Sequence, residues 1–371
     1  MHKAFLNHLR LQVKLYAEEP LLVKEPYPAD EQGRAAQKER KGEGEPDMLF
    51  VRIMRNGRLE PHIPGSSLKG PLRAYAERIV RTLIPGHACD PFDRIKSCSA
   101  KVAVIDPEAQ RAGGEAPKEG NGAEGSRAAT AYAASCPVCK VFGNAGLRAR
   151  LSLSDAYLEE GLPIPQPAAA AHQGLTDVPW WWDRRAWGQE VDGPRYLGFR
   201  TRIPVDRFTG GVRETGPFNV ECWQGKEPFV FQLSLRNFEC WQLGLLAFLL
   251  RDVNDGYLKI GYGKNSGFGR VRLKPESLTV TYYGSAANDA KKERVRGIGA
   301  LYEGADRDSY GFYEQDYIDL SLSEGGSEEE ATLGVGYESS FKYLKNDIEQ
   351  IMKGAAAKWA EYVESKRSSS G

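Results

Sequence analysis

HIPGSSLKGPLRAYAERIVRTLI, residues 62–84, has one dominant periodicity. Leu68, Leu72, Tyr75, Ala76, Ile79, Val80 and Leu83 recur at intervals of three and four, which predicts a helix from Ser67 to Ile84 with one apolar face. Ser66 or Ser67 can cap its start, and Pro71 is tolerated in the first turn. Lys69, Arg73, Arg78 and Arg81 fall on the other faces. Upstream, residues 8–16 (HLRLQVKLY) alternate Leu9, Leu11, Val13 and Leu15, the pattern of a half-buried strand. Downstream, residues 228–236 (PFVFQLSLR) alternate as another strand, and Cys240 to Leu250 is nearly all apolar, as in a buried helix. A glycine loop at 261–269 then has strands predicted on each side. Strand, helix, strand, helix, strand is the order of an α+β sandwich of ferredoxin-like type.

Between these elements the composition changes. Lys24–Pro46 is charged and rich in Gly and Pro, as in a mobile loop; residues 107–130 read as a disordered insertion, and 162–180 as a surface loop. Residues 283–335 are acidic and rich in Gly and Ser, which predicts a linker. Residues 336–371 then predict an amphipathic helix beginning near Glu338, with a stripe of Phe341, Leu344, Ile348, Met352, Ala355, Trp359 and Val363. That stripe must be buried on its own domain or on a neighbour.

The 371 residues are enough for a full core, and no apolar run reaches the length of a membrane span. The start, MHKAFLNHLRLQVKLY, alternates instead of forming the apolar stretch of a signal peptide, so a cytoplasmic protein is expected. The formal net charge of zero hides two blocks. Tyr257–Pro275 carries Lys259, Lys264, Arg270, Arg272 and Lys274 with no acid, whereas Glu303–Glu330 sets ten acids against Arg307. Both blocks can also be read as solvated faces.

In a reducing compartment, cysteines serve better as metal ligands than as disulfides. Cys89-x8-Cys98-x37-Cys136-x2-Cys139 has the chelating Cys-x2-Cys turn of a four-thiolate structural zinc site, with His87 as a substitute ligand and buried free thiols as the alternative. Cys222 and Cys240 are expected to be packing residues. Ser66, Ser67, Lys69 and Arg73 surround a helix start that suits a phosphate, or they belong to an ordinary capped helix. Gly263, Lys264, Asn265, Gly267 and Arg270 lie in a loop that is neither a dinucleotide fingerprint nor a Walker loop; contact with an RNA backbone fits it better. Arg202, Arg207 and Phe208 place cations and a ring on one turn, suited to stacking single-stranded bases, or to a surface hairpin with paired charges.

IPGSSLKGPLR (63–73), CPVCKVFG (136–143), SLSDAY (152–157), VDRFTGGV (205–212) and GYGKNSGFGRV (261–271) occur in this order. The set resembles the RAMP superfamily of CRISPR proteins over residues 8–282, and within it the Cas-seven-type backbone subunits of type III effectors. The resemblance implies a ferredoxin-like (RRM-like) palm over 1–282, with a zinc-bearing finger insertion at 85–142 and a thumb hairpin at 195–220. It implies partnership with guide RNA, complementary target RNA and other effector subunits, stacked as a filament. The thumb would wedge into the guide–target duplex and flip a nucleotide at regular intervals. In target-cleaving relatives an aspartate precedes the IPGSSLKG motif. Asp47-Met-Leu-Phe-Val-Arg52 best resembles that stretch, with Asp30 in reserve, and cleavage would need magnesium or another divalent cation. A non-catalytic backbone role is the alternative. The tail beyond Ala286 departs from the family pattern, and docking on a neighbouring subunit is expected for it.

Overall fold

The computed structural model describes residues 4–26, 46–55, 58–105, 123–159, 197–213, 216–302, 304–321, 329–330 and 338–368. The chain begins with β1 (Asn7–Ala17), β2 (Arg52–Arg55), β3 (Arg58–Ile63) and helix α1 (Gly65–Leu83). Helices α2 (Cys98–Ile105), α3 (Ala123–Ala134) and α4 (Pro137–Phe142) follow, then β4 (Leu151–Leu153) and β5 (Ala156–Leu158). A hairpin of β6 (Leu197–Arg202) and β7 (Phe218–Trp223) leads to β8 (Phe229–Arg236), α5 (Cys240–Asn254) and β9 (Val271–Tyr283). The tail adds β10 (Arg294–Arg296), β11 (Tyr317–Asp319), β12 (Glu329–Glu330), β13 (Glu338–Leu344) and the long helix α6 (Lys345–Ser368).

One mixed α+β core results. Its antiparallel sheet runs β12-β13-β9-β1-β8-β5-β3-β2, with β4 also on β8. β1 is central and paired along its length with β8 and β9. Its alternation is expressed as designed by the sequence pattern: Leu9, Leu11, Val13 and Leu15 are buried in the core shared with Leu68 and Leu72 of α1 and Leu243 and Leu246 of α5. Arg10 and Gln12 point to the opposite, exposed side. The pairing of β1 with β9 shifts register between Gln12 and Val13, where Pro275 opposes Val13. Proline brings no N–H to the ladder, so a bulge at this point interrupts the pairing where one donor is already missing.

Several expectations change. Helix α1 starts at Gly65 with Pro64 as its N-cap residue, and neither Ser66 nor Ser67 caps it. The Gly65 N–H instead donates to the Asp155 carboxylate at 2.7 Å. Residues 257–260 are not a strand; Ile260 donates to the Gly269 carbonyl at 2.9 Å and closes the glycine loop on itself. Within the expected disordered insertion, residues 123–130 are helical as part of α3, while 106–122 lie outside the described residues. Residues 162–180 and most of the loop at 24–46 lie outside them as well.

The tail differs most. Residues 338–344 form β13 on the edge of β9, not the first turns of a helix, so Phe341 is buried by the sheet and the helix starts at Lys345. Alternation with Tyr343 also permits a strand, and pairing to β9 decides between the two. The segment expected as a linker is packed over much of its length: Val295, Ile298, Phe312 and Ile318 are buried. Asp316, from the acidic block, is buried at the start of α5 and accepts from the N–H groups of Cys240 (2.7 Å) and Gly299 (2.9 Å). Its apolar surroundings, with the Glu239 charge nearby, push its carboxyl up to about 7 against the pull of those amides.

Helix α6 lies on its own chain, against α5, where Trp241 stacks on Tyr362 at 4.2 Å between ring centroids. The crossing is close because α5 offers Gly244: a Cβ there would sit 2.1 Å from the Ala355 carbonyl oxygen. Gly244→Ala is therefore expected to force the two helices apart and cost about 1–3 kcal/mol, read as a lower urea midpoint. For Asp316, a folded pKa above the unfolded value stabilises only while the group is protonated, so this contribution fades as pH climbs through about 7. Between about pH 5 and about pH 8, the melting temperature of wild type should fall more steeply than that of Asp316→Asn.

Candidate nucleic-acid interface and metal centre

The stretch after β1, Glu18 to Glu25, touches three of the segments that the sequence marks as functional. Leu21 and Trp223 exchange backbone hydrogen bonds at 3.1 and 2.7 Å, fixing the base of the β6–β7 hairpin. The Leu22 carbonyl accepts from Tyr262 at 2.8 Å, fixing the glycine loop. Glu25 donates to Leu49 (3.1 Å) and Val51 donates to Val23 (2.8 Å), fixing the segment that follows Asp47. The sequence reading assigned no role to 18–23. The signal was there in Leu21-Leu22-Val23, three buried apolar residues after a proline.

Asp47 stands at the hairpin base. Its Oδ2 accepts from the Asn219 N–H at 2.8 Å, and its own N–H donates to the Asn219 carbonyl at 2.8 Å. The side chain is exposed. Just beyond it, Arg52 and Glu221 form a buried ion pair at 2.5 Å, and Glu221 also accepts from the Phe50 N–H at 2.7 Å. Burial raises the Glu221 carboxyl, and the Arg52 guanidinium opposes that. Removing either partner of such a pair costs about 3–5 kcal/mol, so the pair holds the Asp47 segment to β7. Asp30 lies outside the described residues.

The hairpin ends in a turn built by Asp206, whose Oδ1 accepts from the N–H groups of Phe208 and Thr209, each at 2.9 Å. Phe208 at its tip is 99% exposed, and Arg207 is exposed beside it. Arg202 sits lower and places its guanidinium 5.2 Å from the centre of the Phe268 ring, joining hairpin and glycine loop.

In that loop Lys264, Asn265 and Gly267 are exposed, with Gly263 and Gly267 at positive φ. Gly261 serves the fold: a Cβ there would lie 2.3 Å from the Leu22 carbonyl oxygen. The basic block is partly matched, since Lys259 pairs with Glu19, and Arg270 and Arg272 pair with Glu18.

Around the start of α1, Ser66 is exposed and Ser67 half-buried. The Asp155 carboxylate occupies the place an anion would take. Lys69 donates to the Leu151 carbonyl at 3.1 Å, and burial, with Arg73 nearby, lowers its pKa. Arg73 donates to the Gly143 carbonyl at 3.0 Å and lies 3.7 Å from the Cys139 sulfur. Arg73 thus braces the four-cysteine region from inside the chain, and Lys69 ties α1 to β4.

Cys89, Cys98, Cys136 and Cys139 converge with their Sγ atoms all within 4.8 Å of one another. Cys89 lies 3.6 Å from Cys139 and 3.8 Å from Cys136. A tetrahedral ion with metal–sulfur bonds of about 2.3 Å needs sulfurs about 3.8 Å apart, so this donor set fits one. Hydrogen bonds from the other three thiols hold the Cys136 thiol well below its usual range. His87 stands outside the group, with Nδ1 3.3 Å from the Pro85 carbonyl. Cys222 and Cys240 are buried elsewhere. Among the described residues, this is the group of three or more His, Cys, Asp or Glu side chains placed to hold a metal ion.

A profile of the RAMP superfamily matches residues 42–272, more than half of the chain. The chain belongs to the RAMP superfamily. Membership places this RAMP protein among CRISPR-associated RNA-binding subunits, with CRISPR RNA and an effector complex as its partners. The match takes in the four cysteines, Asp47, the hairpin and the glycine loop, and stops before the packed tail. No curated protein matches the chain. No helix among the described residues is long and apolar enough to cross a membrane.

The purified chain should carry one tightly held divalent metal ion. Cys136→Ser should lower the metal content measured by elemental analysis and lower the melting temperature, because an ion that binds only the folded chain stabilises it.

Proposed function

We propose that this RAMP protein is a guide RNA-binding backbone subunit of a type III CRISPR effector that cuts complementary target RNA through Asp47. One observation carries this reading: the segment at 18–25 hydrogen-bonds to the hairpin base, the glycine loop and the Asp47 segment together. A residue that cuts and an element that splays the duplex are then held in one fixed relation. The sheet order β9-β1-β8-β5, with α1 and α5 packed into the same core, supports a ferredoxin-like palm. Its open face carries Arg10, Gln12, Gln232 and Thr279 around a cavity of 460 Å³. Among the described residues no exposed aromatic side chain lies at the centre of β1 or β8, where RRM sheets stack bases, and the half-buried Tyr157 lines the cavity, so the exposed ring at the hairpin tip is the better base contact.

The hairpin is the thumb in this reading, and Phe208 is the ring that displaces a nucleotide. A displaced nucleotide frees the backbone to align a ribose 2′-OH with the adjacent phosphate. The 2′-oxygen bonds to phosphorus, the bond to the 5′-oxygen breaks, the Asp47 carboxylate takes the 2′ proton, and the leaving 5′-oxygen takes a proton from water. Asp47 has no ligand cluster around it among the described residues. Magnesium bound there would take most of its ligands from RNA phosphates and water, and would supply charge neutralisation. Lys264 and Asn265 contact the guide backbone, together with Arg207 and Ser66. The four cysteines hold structural zinc, which fixes the finger, and the protein works in the cytoplasm.

A second reading has support of its own. Asp47 already anchors the Asn219 N–H, which is what a purely architectural aspartate would do in a non-catalytic backbone subunit. The cut pattern of complementary RNA, mapped in the guide-loaded complex with magnesium, separates the two. Asp47→Ala should abolish evenly spaced cuts, by about 100-fold or more in rate, with target binding retained. An unchanged ladder would move cutting to Asp30 or to another subunit and leave this chain architectural.

A further inference from the structure

The thumb tip has a second copy in the finger. Asp206-Arg207-Phe208-Thr209 turns on one carboxylate oxygen that accepts from the N–H groups two and three residues on. Asp93-Arg94-Ile95-Lys96 does the same: Asp93 Oδ1 accepts from Ile95 and from Lys96, each at 2.8 Å. Those amides hold both aspartates below the ordinary carboxylate range. Immediately before it, Asp90 accepts from the Phe92 N–H at 2.9 Å. The outcome is also the same. Phe92 is 90% exposed and Ile95 83% exposed, next to the exposed cations Arg94 and Lys96.

Two large apolar side chains held this far into water lose their burial energy, and none of the described residues covers them. The loop is also tethered, because Cys89 and Cys98 at its two ends belong to the four-cysteine cluster. A tethered turn that displays Ile95 between two cations, with the exposed Phe92 ring just before them, is a platform for unstacked bases. The cavity behind it, about 590 Å³, is lined by Asp90 and Asp93 as well as by Lys96, Lys101, Lys140 and Lys366, so it is the exposed tip and not the cavity that makes the display.

We infer that the turn at 90–96 is a second RNA-base contact, at which Phe92 and Ile95 stack on or wedge between bases while Arg94 and Lys96 meet the flanking phosphates. This rests on the RNA-binding reading of the chain, and makes its grip on RNA two-pointed: thumb tip and finger tip.

The test uses the full metal-loaded chain and a guide RNA carrying 4-thiouridine, alone and annealed to its complement. After near-ultraviolet irradiation, cross-linked peptides are mapped by mass spectrometry. Cross-links are expected both at 90–96 and at 205–212. The double variant Phe92→Ala with Ile95→Ala should lose the first set, keep the second, keep its metal, and bind RNA about tenfold more weakly, in the range of one lost base stack. Cross-links at 205–212 alone, with RNA affinity unchanged in the double variant, would overturn the inference and leave the RNA-binding reading standing. No cross-link at either place would overturn both. Lost assembly with neighbouring subunits at unchanged RNA affinity would make the turn a protein contact and also overturn it.

Discussion

Eight residues, Glu18 to Glu25, hold the working parts of this protein together. They leave the central strand β1, whose backbone is paired on both sides, and so have little freedom in direction. Their own donors and acceptors are then met by Trp223, Tyr262, Leu49, Val51 and Arg270. Backbone groups that are buried must be paired, so each of these contacts fixes the loop on its far side. The hairpin, the glycine loop and the Asp47 segment come from positions far apart in the chain. They meet because one strand extension satisfies its hydrogen bonds on all three.

Charge is arranged on the same logic. Cations that stand out in the sequence are spent on the fold in several places: Arg73 braces the cysteine region, Lys69 ties α1 to β4, Arg52 neutralises Glu221, and Arg270 meets Glu18. Other cations are exposed, and two of these, Arg207 and Lys264, sit in the turns of the hairpin and the glycine loop. A chain with zero net charge can therefore present positive charge at these tips, with neighbouring acids such as Asp206, Glu18 and Glu19 engaged in holding the loops. One of those acids, Asp316, is buried at the start of α5, so the acidic block is part of the core as well as of the surface.

The family match ends at residue 272, and the tail beyond it adds an edge strand and a helix. Both are absorbed by the same core. β13 covers the edge that β9 would otherwise expose, and α6 covers α5 through the contact at Gly244. Edge strands left open invite pairing with other chains, and this one is extended in a controlled way.

Local patterns determined a good deal on their own. The alternation in 8–16, the helical stripe of 68–83 and the apolar run from Cys240 name β1, α1 and α5, because period and burial are properties of a few adjacent residues. The Cys-x2-Cys turn pointed to the four-cysteine cluster, because two ligands on one short turn already make half a tetrahedron. Where patterns are shared between alternatives, the sequence alone could not choose. Phe341 and Tyr343 suit a strand or a helix, and only the free edge of β9 makes them a strand. Ser66 and Ser67 look like caps, but Asp155, ninety residues away, reaches the Gly65 N–H first. The glycines of 261–269 look like room for a ligand, yet Gly261 is needed by Leu22. Each of these outcomes depends on a partner distant in sequence, and such partners exist only once the chain has folded.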